Sequence, residues 1–211
     1  MKAFNTRASL VLGAALLAPL FSLGAARPLT DGILAGQITF DGQTAPAGVV
    51  VGDAVVYLTG DALAGEIGEG PTPELDQSDI TFVPHVLTVV AGQEVKIHNS
   101  DAIMHNLNAS SRKNRPFNKS QLGGMTSTVT FRAPEIVPIR CDVHSQMSAY
   151  IAVVPNRFFA RPDASGAYRI ENVPPGTYEL VAWHEKYGTV TTEITVGDGQ
   201  TVSSAVDFTS K

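Results

Sequence analysis

Short runs of alternating apolar and polar residues, broken by turn formers, constrain this chain more than any other feature. Gly36-Gln37-Ile38-Thr39-Phe40, Ala54-Val55-Val56-Tyr57-Leu58, Glu94-Val95-Lys96-Ile97-His98 and Thr126-Ser127-Thr128-Val129-Thr130-Phe131 are rich in Val, Ile, Thr and aromatic residues. A period of two puts successive side chains on opposite faces, which suits half-buried strands. Turn residues separate the runs at intervals of roughly 8 to 12, the spacing of β-sandwiches and barrels. No sustained helical period follows the first 26 residues, so the predicted fold class is all-β.

Residues 1–26 are set aside as a secretory signal. Lys2 and Arg7 precede an apolar stretch from Ala8 to Leu23, which ends in Gly24, Ala25 and Ala26, a plausible cleavage point. An uncleaved anchor is the competing reading. No later stretch approaches the ~20 apolar residues of a spanning helix, so a soluble periplasmic or secreted protein without a stable membrane span is expected. The formal charge is −5, and loss of Lys2 and Arg7 with the signal leaves −7, which argues against a nucleic-acid partner. The stretch Gly65 to Asp79 sets Glu66, Glu69, Glu74, Asp76 and Asp79 among glycines and prolines and reads as an acidic linker, bounded at 65–74.

Chemistry concentrates in Cys141-Asp142-Val143-His144-Ser145-Gln146-Met147, with His105 upstream. Thiolate, imidazole and thioether on one short loop are the donors that hold a blue-copper ion together with a second imidazole. Cys141 is the only cysteine, so no intramolecular disulfide is open to it. A buried, inert thiol beside an unrelated His and Met is the alternative.

Residues 75–155 resemble the cupredoxin family, the small blue-copper proteins that include plastocyanin and amicyanin. The resemblance rests on Phe82-x-Pro84-x-x-Leu87-x-Val89-x-x-Gly92, on Val95-x-Ile97-x-Asn99-x-Asp101, on His105-Asn106 and on the Cys141 loop, whose two-residue spacings look most like amicyanin. It implies a Greek-key β-sandwich or barrel and one type 1 copper ion. By the same resemblance His105, Cys141 and His144 are equatorial ligands and Met147 the weak axial one, with Asn106 tying the two ligand loops together. Phe131 to Arg140 is the expected strand into the loop and Ser148 to Val154 the strand out.

The outer segments resemble a second family. Asp163-Ala-Ser-Gly166-Ala-Tyr168-Arg-Ile170-Glu-Asn-Val173-Pro-Pro-Gly176-Thr-Tyr178-Glu-Leu180 and the strands that follow look like the latter part of a carboxypeptidase regulatory-like, or transthyretin-like, β-sandwich. Gly36 to Gly42 and Ala54 to Leu58 are similar to its opening strands. The expected organisation is one sandwich, from 32–64 and 157–210, with the cupredoxin domain inserted in it or packed beside it.

No His-Glu-x-x-His, Gly-x-Ser-x-Gly or phosphate-loop motif occurs, so no catalytic residues are assigned and no enzyme is expected. His85 and His98 are read as surface or satisfied core, and Met104 and Met125 as packing residues, with Met104 a candidate shield for the metal. Trp183-His184-Glu185 reads as a strand-end tryptophan packed on its own sandwich, the alternatives being an interdomain contact or a second metal site. Arg112, Lys113, Arg115 and Lys119 are a solvated basic run, or a docking patch for an acidic redox partner. Asn108-Ala109-Ser110 and Asn118-Lys119-Ser120 fit the glycosylation acceptor pattern.

Together these features predict an exported electron carrier working with protein redox partners, a dehydrogenase, oxidase or cytochrome. The resemblance extends to methylamine-utilisation-type proteins. A copper storage or delivery protein, and a cell-envelope interaction module with a structural copper site, remain open at this point.

Overall fold

The computed structural model of the chain describes residues 29–44, 46–65 and 67–210. The expected signal 1–26 and Glu66 lie outside the described residues. Within them are seventeen strands in four sheets and two single-turn 3-10 helices, an all-β molecule as the alternating pattern requires.

The chain begins in one sandwich with β1 (Gly32–Phe40) and β2 (Val55–Thr59). It then leaves to build a second sandwich from β3 (Glu74–Ser78), β4 (Thr81–Val83), β5 (Val86–Val90), β6 (Glu94–Asn99), β7 (His105–Ala109), β8 (Phe117–Gln121), β9 (Thr126–Thr130), β10 (Glu135–Arg140) and β11 (Ser148–Val154). It returns to the first with β12 (Phe159–Ala160), β13 (Ala167–Val173), β14 (Gly176–His184), β15 (Gly188–Val196), β16 (Thr201–Ser203) and β17 (Val206–Phe208). In this outer sandwich β1 runs antiparallel to β13 and parallel to β16 and β17, while the facing sheet is ordered β12-β2-β14-β15. Leu34, Ile38 and Phe40 of β1 meet Val56 and Leu58 of β2, Ile170, Tyr178, Leu180 and Phe208 in a single buried core. A glycine is required at position 36, because a Cβ there would lie 1.8 Å from the Ser204 carbonyl oxygen, which accepts the Tyr168 hydroxyl at 2.6 Å.

The inserted sandwich pairs a sheet ordered β5-β11-β10-β7-β8 with one ordered β4-β3-β6-β9. Leu75, Phe82, Val95, Ile97, Leu107, Phe131, Ile139 and Ile151 fill it. Glu74–Ser78, read from sequence as part of an acidic linker, is strand β3. Leu75 and Gln77 face inward, and Glu74 pairs with Lys96 at 3.1 Å, so the acidic residues are the outer face of a strand. Phe131 to Arg140 is likewise not one strand. Phe131 follows β9, and β10 starts at Glu135.

The strands β5 and β11 run parallel, both read as nearly continuous apolar runs, and both are buried on two faces. Ala149, Ile151 and Val153 point into the inserted core. Ala152 and Val154, with Val86 and Val90, join Val55 and Trp183 of the outer sandwich in a third buried cluster, flanked by Tyr57, Ile136, Tyr150 and Phe159. Trp183, only 8 % exposed, therefore packs across the boundary between sandwiches, 5.2 Å from the Tyr150 ring. The alternation of β14 turns this residue away from its own core, which explains why packing within one sandwich was the wrong expectation.

Candidate metal centre

His105 opens β7 and Cys141 directly follows β10. These strands are antiparallel neighbours, with Arg140 opposite Asn108, so the start of one and the end of the other reach the same edge of the sandwich. The loop from Cys141 to Met147 closes on itself. The Cys141 amide donates to the Met147 carbonyl at 3.2 Å and the Met147 amide to the His144 carbonyl at 3.0 Å. This fold-back turns His144 toward His105: their Nδ1 atoms are 2.9 Å apart, and Cys141 Sγ is 3.8 Å from His144 Nδ1.

One ligand atom from each of His105, Cys141 and His144 lies within 4.8 Å of the others, a group able to hold a metal ion. His105, Cys141 and Met147 are buried, at 0 %, 4 % and 1 % exposure, while His144 is partly open to solvent. The donors fit copper. Two imidazole nitrogens and a thiolate are its preferred partners, and a buried methionine on the same loop offers a weak thioether. His105 Nε2 lies 2.7 Å from Asp101 Oδ2, an acceptor that places the ring proton on Nε2 and leaves Nδ1 with a free lone pair facing the cluster.

The loop is laced to the β7–β8 hairpin through Asp142. The Asp142 amide donates to Asn106 Oδ1 at 2.6 Å, and its carboxylate accepts from Asn108 at 3.0 Å, Asn118 at 2.6 Å and Asn106 at 2.9 Å. Asn108 first, then Asn118 and Asn106, hold this carboxyl below the usual range. The side chains of both asparagines in the glycosylation patterns are thus engaged with Asp142. Beneath the donors runs a buried amide network: Gln77 donates to Gln121 Oε1 at 2.6 Å, and Asn99 donates to the carbonyls of Ile103 and Gln121 at 2.9 and 3.1 Å. It shapes the 100–104 loop that carries Asp101.

Sequence reasoning places Asn99 and Asp101 only as members of a strand pattern and gives no role of their own to them or to Asp142, Gln77 or Gln121. What these carboxylates and amides bond is not set by local spacing, since their partners lie 20 or more residues away in most cases. The weaker candidates resolve differently. His98 bonds Thr126 Oγ1 at 2.8 Å, and His85 bridges Glu185 Oε2 at 2.9 Å and the Ser148 carbonyl at 3.1 Å, so each is a satisfied structural histidine. His184 is packed against Phe40, Tyr187 and Phe208, and burial pushes it below the usual histidine range. Met104 and Met125 are 44 % and 43 % exposed, not packed inside, and share the outer surface with Ile103, Leu122 and Val143. The basic run is split: Lys119 lies opposite Leu107 within the β7–β8 hairpin, two positions from His105, whereas Arg112, Lys113 and Arg115 lie in the connection beyond its far end. His105 pairs with Gln121 at one end of the β7–β8 hairpin and Ala109 with Phe117 at the other, beyond which Lys113, Arg115 and Arg132 line a cleft.

A family described as carboxypeptidase regulatory-like domain matches residues 148–211. The match begins in β11, which is hydrogen-bonded to β5 and β10 of the inserted sandwich, and its remainder covers β12 to β17. No curated protein matches the chain. Among solved structures, it is similar to the Cu-containing nitrite reductase NirK from Thermus scotoductus SA-01, at 21 % identity and a TM-score of 0.38, over 44 % of this chain and 25 % of that one. It thus spans a quarter of the length of that reductase. A purple cupredoxin from Nitrosopumilus maritimus is 16 % identical, covered over 39 % of this chain and 99 % of its own, with a TM-score of 0.35. An oxidised amicyanin variant is 19 % identical over 44 % of this chain and 90 % of its own, with a TM-score of 0.37. No helix among the described residues is long and apolar enough to cross a membrane.

Proposed function

We propose that this chain is an exported type 1 copper protein that carries single electrons between larger redox proteins and itself makes or breaks no covalent bond of a substrate. The observation that carries this reading is the convergence, within 4.8 Å, of one ligand atom each from His105 on β7 and from Cys141 and His144 on the loop that also holds the buried Met147. Copper bound there supplies reversible one-electron exchange between Cu(II) and Cu(I). His105, Cys141 and His144 are the equatorial ligands in this reading, and Met147 the axial one. The loop's own hydrogen bonds and the Asp142 clamp hold these donors in place, which suits a site that must serve both oxidation states with little movement.

His144 is the partly exposed ligand and therefore the port through which an electron passes to a docked partner. The partner class is a dehydrogenase, oxidase or cytochrome, met in the periplasm or outside the cell after removal of residues 1–26. The outer sandwich contributes no donor to the cluster and serves as the frame that carries it.

Absorption and electron-resonance spectra of the copper-loaded protein test the reading. Intense thiolate-to-copper charge transfer in the visible and a small copper hyperfine splitting are expected, together with fast, reversible electron exchange without loss of the ion. A colourless protein after Cu(II) loading under non-reducing conditions overturns it, and a blue protein that surrenders its copper readily to chelators points to storage or delivery.

A further inference from the structure

His105 is engaged on both sides of its ring. Nδ1 faces the other donors, and Nε2 meets the Asp101 carboxylate, which is only 16 % exposed. Asp101 is in turn fixed from three directions. Its Oδ1 accepts the Asp79 amide at 2.8 Å, its Oδ2 accepts the Ile80 amide at 3.0 Å, and its own amide donates to Asn99 Oδ1 at 3.1 Å. Asp79 and Ile80 form the two-residue turn between β3 and β4, with φ of 53° and 54°. Such turns favour Asn-Gly, and a β-branched residue in the left-handed region is strained. Strain of this kind persists where surrounding contacts over-determine it, and it gathers at functional sites. Here it aims two backbone amides at one carboxylate oxygen pair.

We propose that Asp101 is a positioning residue for the copper, an inference that rests on the copper reading above. The turn amides hold the carboxylate, the carboxylate accepts the Nε2 proton of His105, and the ring is thereby locked with Nδ1 as its ligand atom. A carboxylate behind a metal-bound imidazole also raises its basicity. A more basic, anion-backed ligand favours Cu(II) over Cu(I), so Asp101 lowers the reduction potential of the site. The hairpin β3–β4, which contributes no ligand, becomes part of the copper site through it.

The test is a redox titration of the full-length copper protein and of Asp101→Asn, with nitrogen NMR of the wild-type Cu(I) form, which is diamagnetic. Removing such a partner costs on the order of tenfold in metal affinity. If that loss falls on Cu(II), the midpoint rises by about 59 mV for a one-electron couple. The NMR should place the slowly exchanging ring proton of His105 on Nε2. A residue that merely pins the turn leaves the potential unchanged while lowering the melting temperature, and that outcome overturns the proposal. So does a wild-type His105 whose proton resides on Nδ1, a measurement that stands even if Asp101→Asn fails to fold. A wild-type protein with no blue copper spectrum defeats the copper reading and this proposal together; a blue wild type with an unmoved Asp101→Asn potential defeats the proposal alone.

Discussion

Cys141 and Met147 close one loop, yet in the proposed copper site they would contribute unequally as ligands. A thiolate gives the copper its strong, charge-donating bond, whereas a thioether is a weak axial donor that trims the stability of Cu(II). Cys141→Ser is expected to abolish the visible band, and Met147→Leu to keep it while raising the midpoint potential, read by absorption and redox titration on the same samples. Equal loss of colour in both removes Met147 from the axial role. The group of His105, Cys141 and His144 was legible as a candidate in sequence because two of its members share one heptapeptide with Met147, where residue types and spacing speak together. Asp101 was not. Its meaning comes from the amides of Asp79 and Ile80, 22 and 21 residues upstream, and no local pattern announces that meeting. Asp142 was equally silent, since nothing about Asn108 and Asn118 in sequence says that their side chains converge on it.

At the scale of elements, alternation marked β1, β2, β6 and β9 but missed β3, whose exposed face is acidic. Glu74-Leu75-Asp76-Gln77-Ser78 has one apolar residue among polar ones, and its inward Gln77 is buried by hydrogen bonding to Gln121, so the usual apolar stripe of a strand is absent. The loop after β7 depends on a similar polar device. Glu135, at the start of β10, accepts from the Ser111 hydroxyl at 2.5 Å, the Arg112 and Lys113 amides at 2.7 and 3.1 Å, and the Asn114 side chain at 3.1 Å. Burial pulls its carboxyl upward, but these donors outweigh it, led by Ser111, and bring it down to about 2 from 4.5. A depressed carboxyl stabilises the fold fully above its unfolded value, and that contribution is lost as pH falls through the folded one. Between about pH 4.5 and 2 the protein should therefore lose stability that Glu135→Gln lacks from the outset. Denaturant midpoints measured across that window should converge for the two proteins at the acid end; a constant gap throughout would remove Glu135 from the acid response.

Over the whole molecule, insertion works because the two ends of the inserted sandwich leave the outer one at neighbouring points. The Leu58 amide donates to the Phe158 carbonyl at 3.0 Å, and the Asn156 side chain donates to the Leu58 carbonyl at 3.0 Å, so the chain departs and returns within hydrogen-bond reach. The outer core draws on β1 and β2 as well as on the strands after β11, and none of its residues belongs to the inserted core. What does cross the boundary is the apolar cluster around Trp183, the single tryptophan of the chain. Excising residues 65–155 and joining Ala64 to Asn156 through a short Gly/Ser linker should thus leave a β protein that still unfolds cooperatively, since one complete core remains. Its tryptophan should report the loss of its neighbours. In the full chain Trp183 is 8 % exposed and lies against Tyr150, and without β5 and β11 its emission should shift toward that of a water-exposed indole. Both readings come from one denaturant titration followed by fluorescence and circular dichroism. A gradual, non-cooperative loss of signal means that the outer strands need the insert to fold. An unshifted emission in a cooperatively folding product means that the inserted sandwich is not what shelters Trp183, and the interface assigned to β5 and β11 then fails.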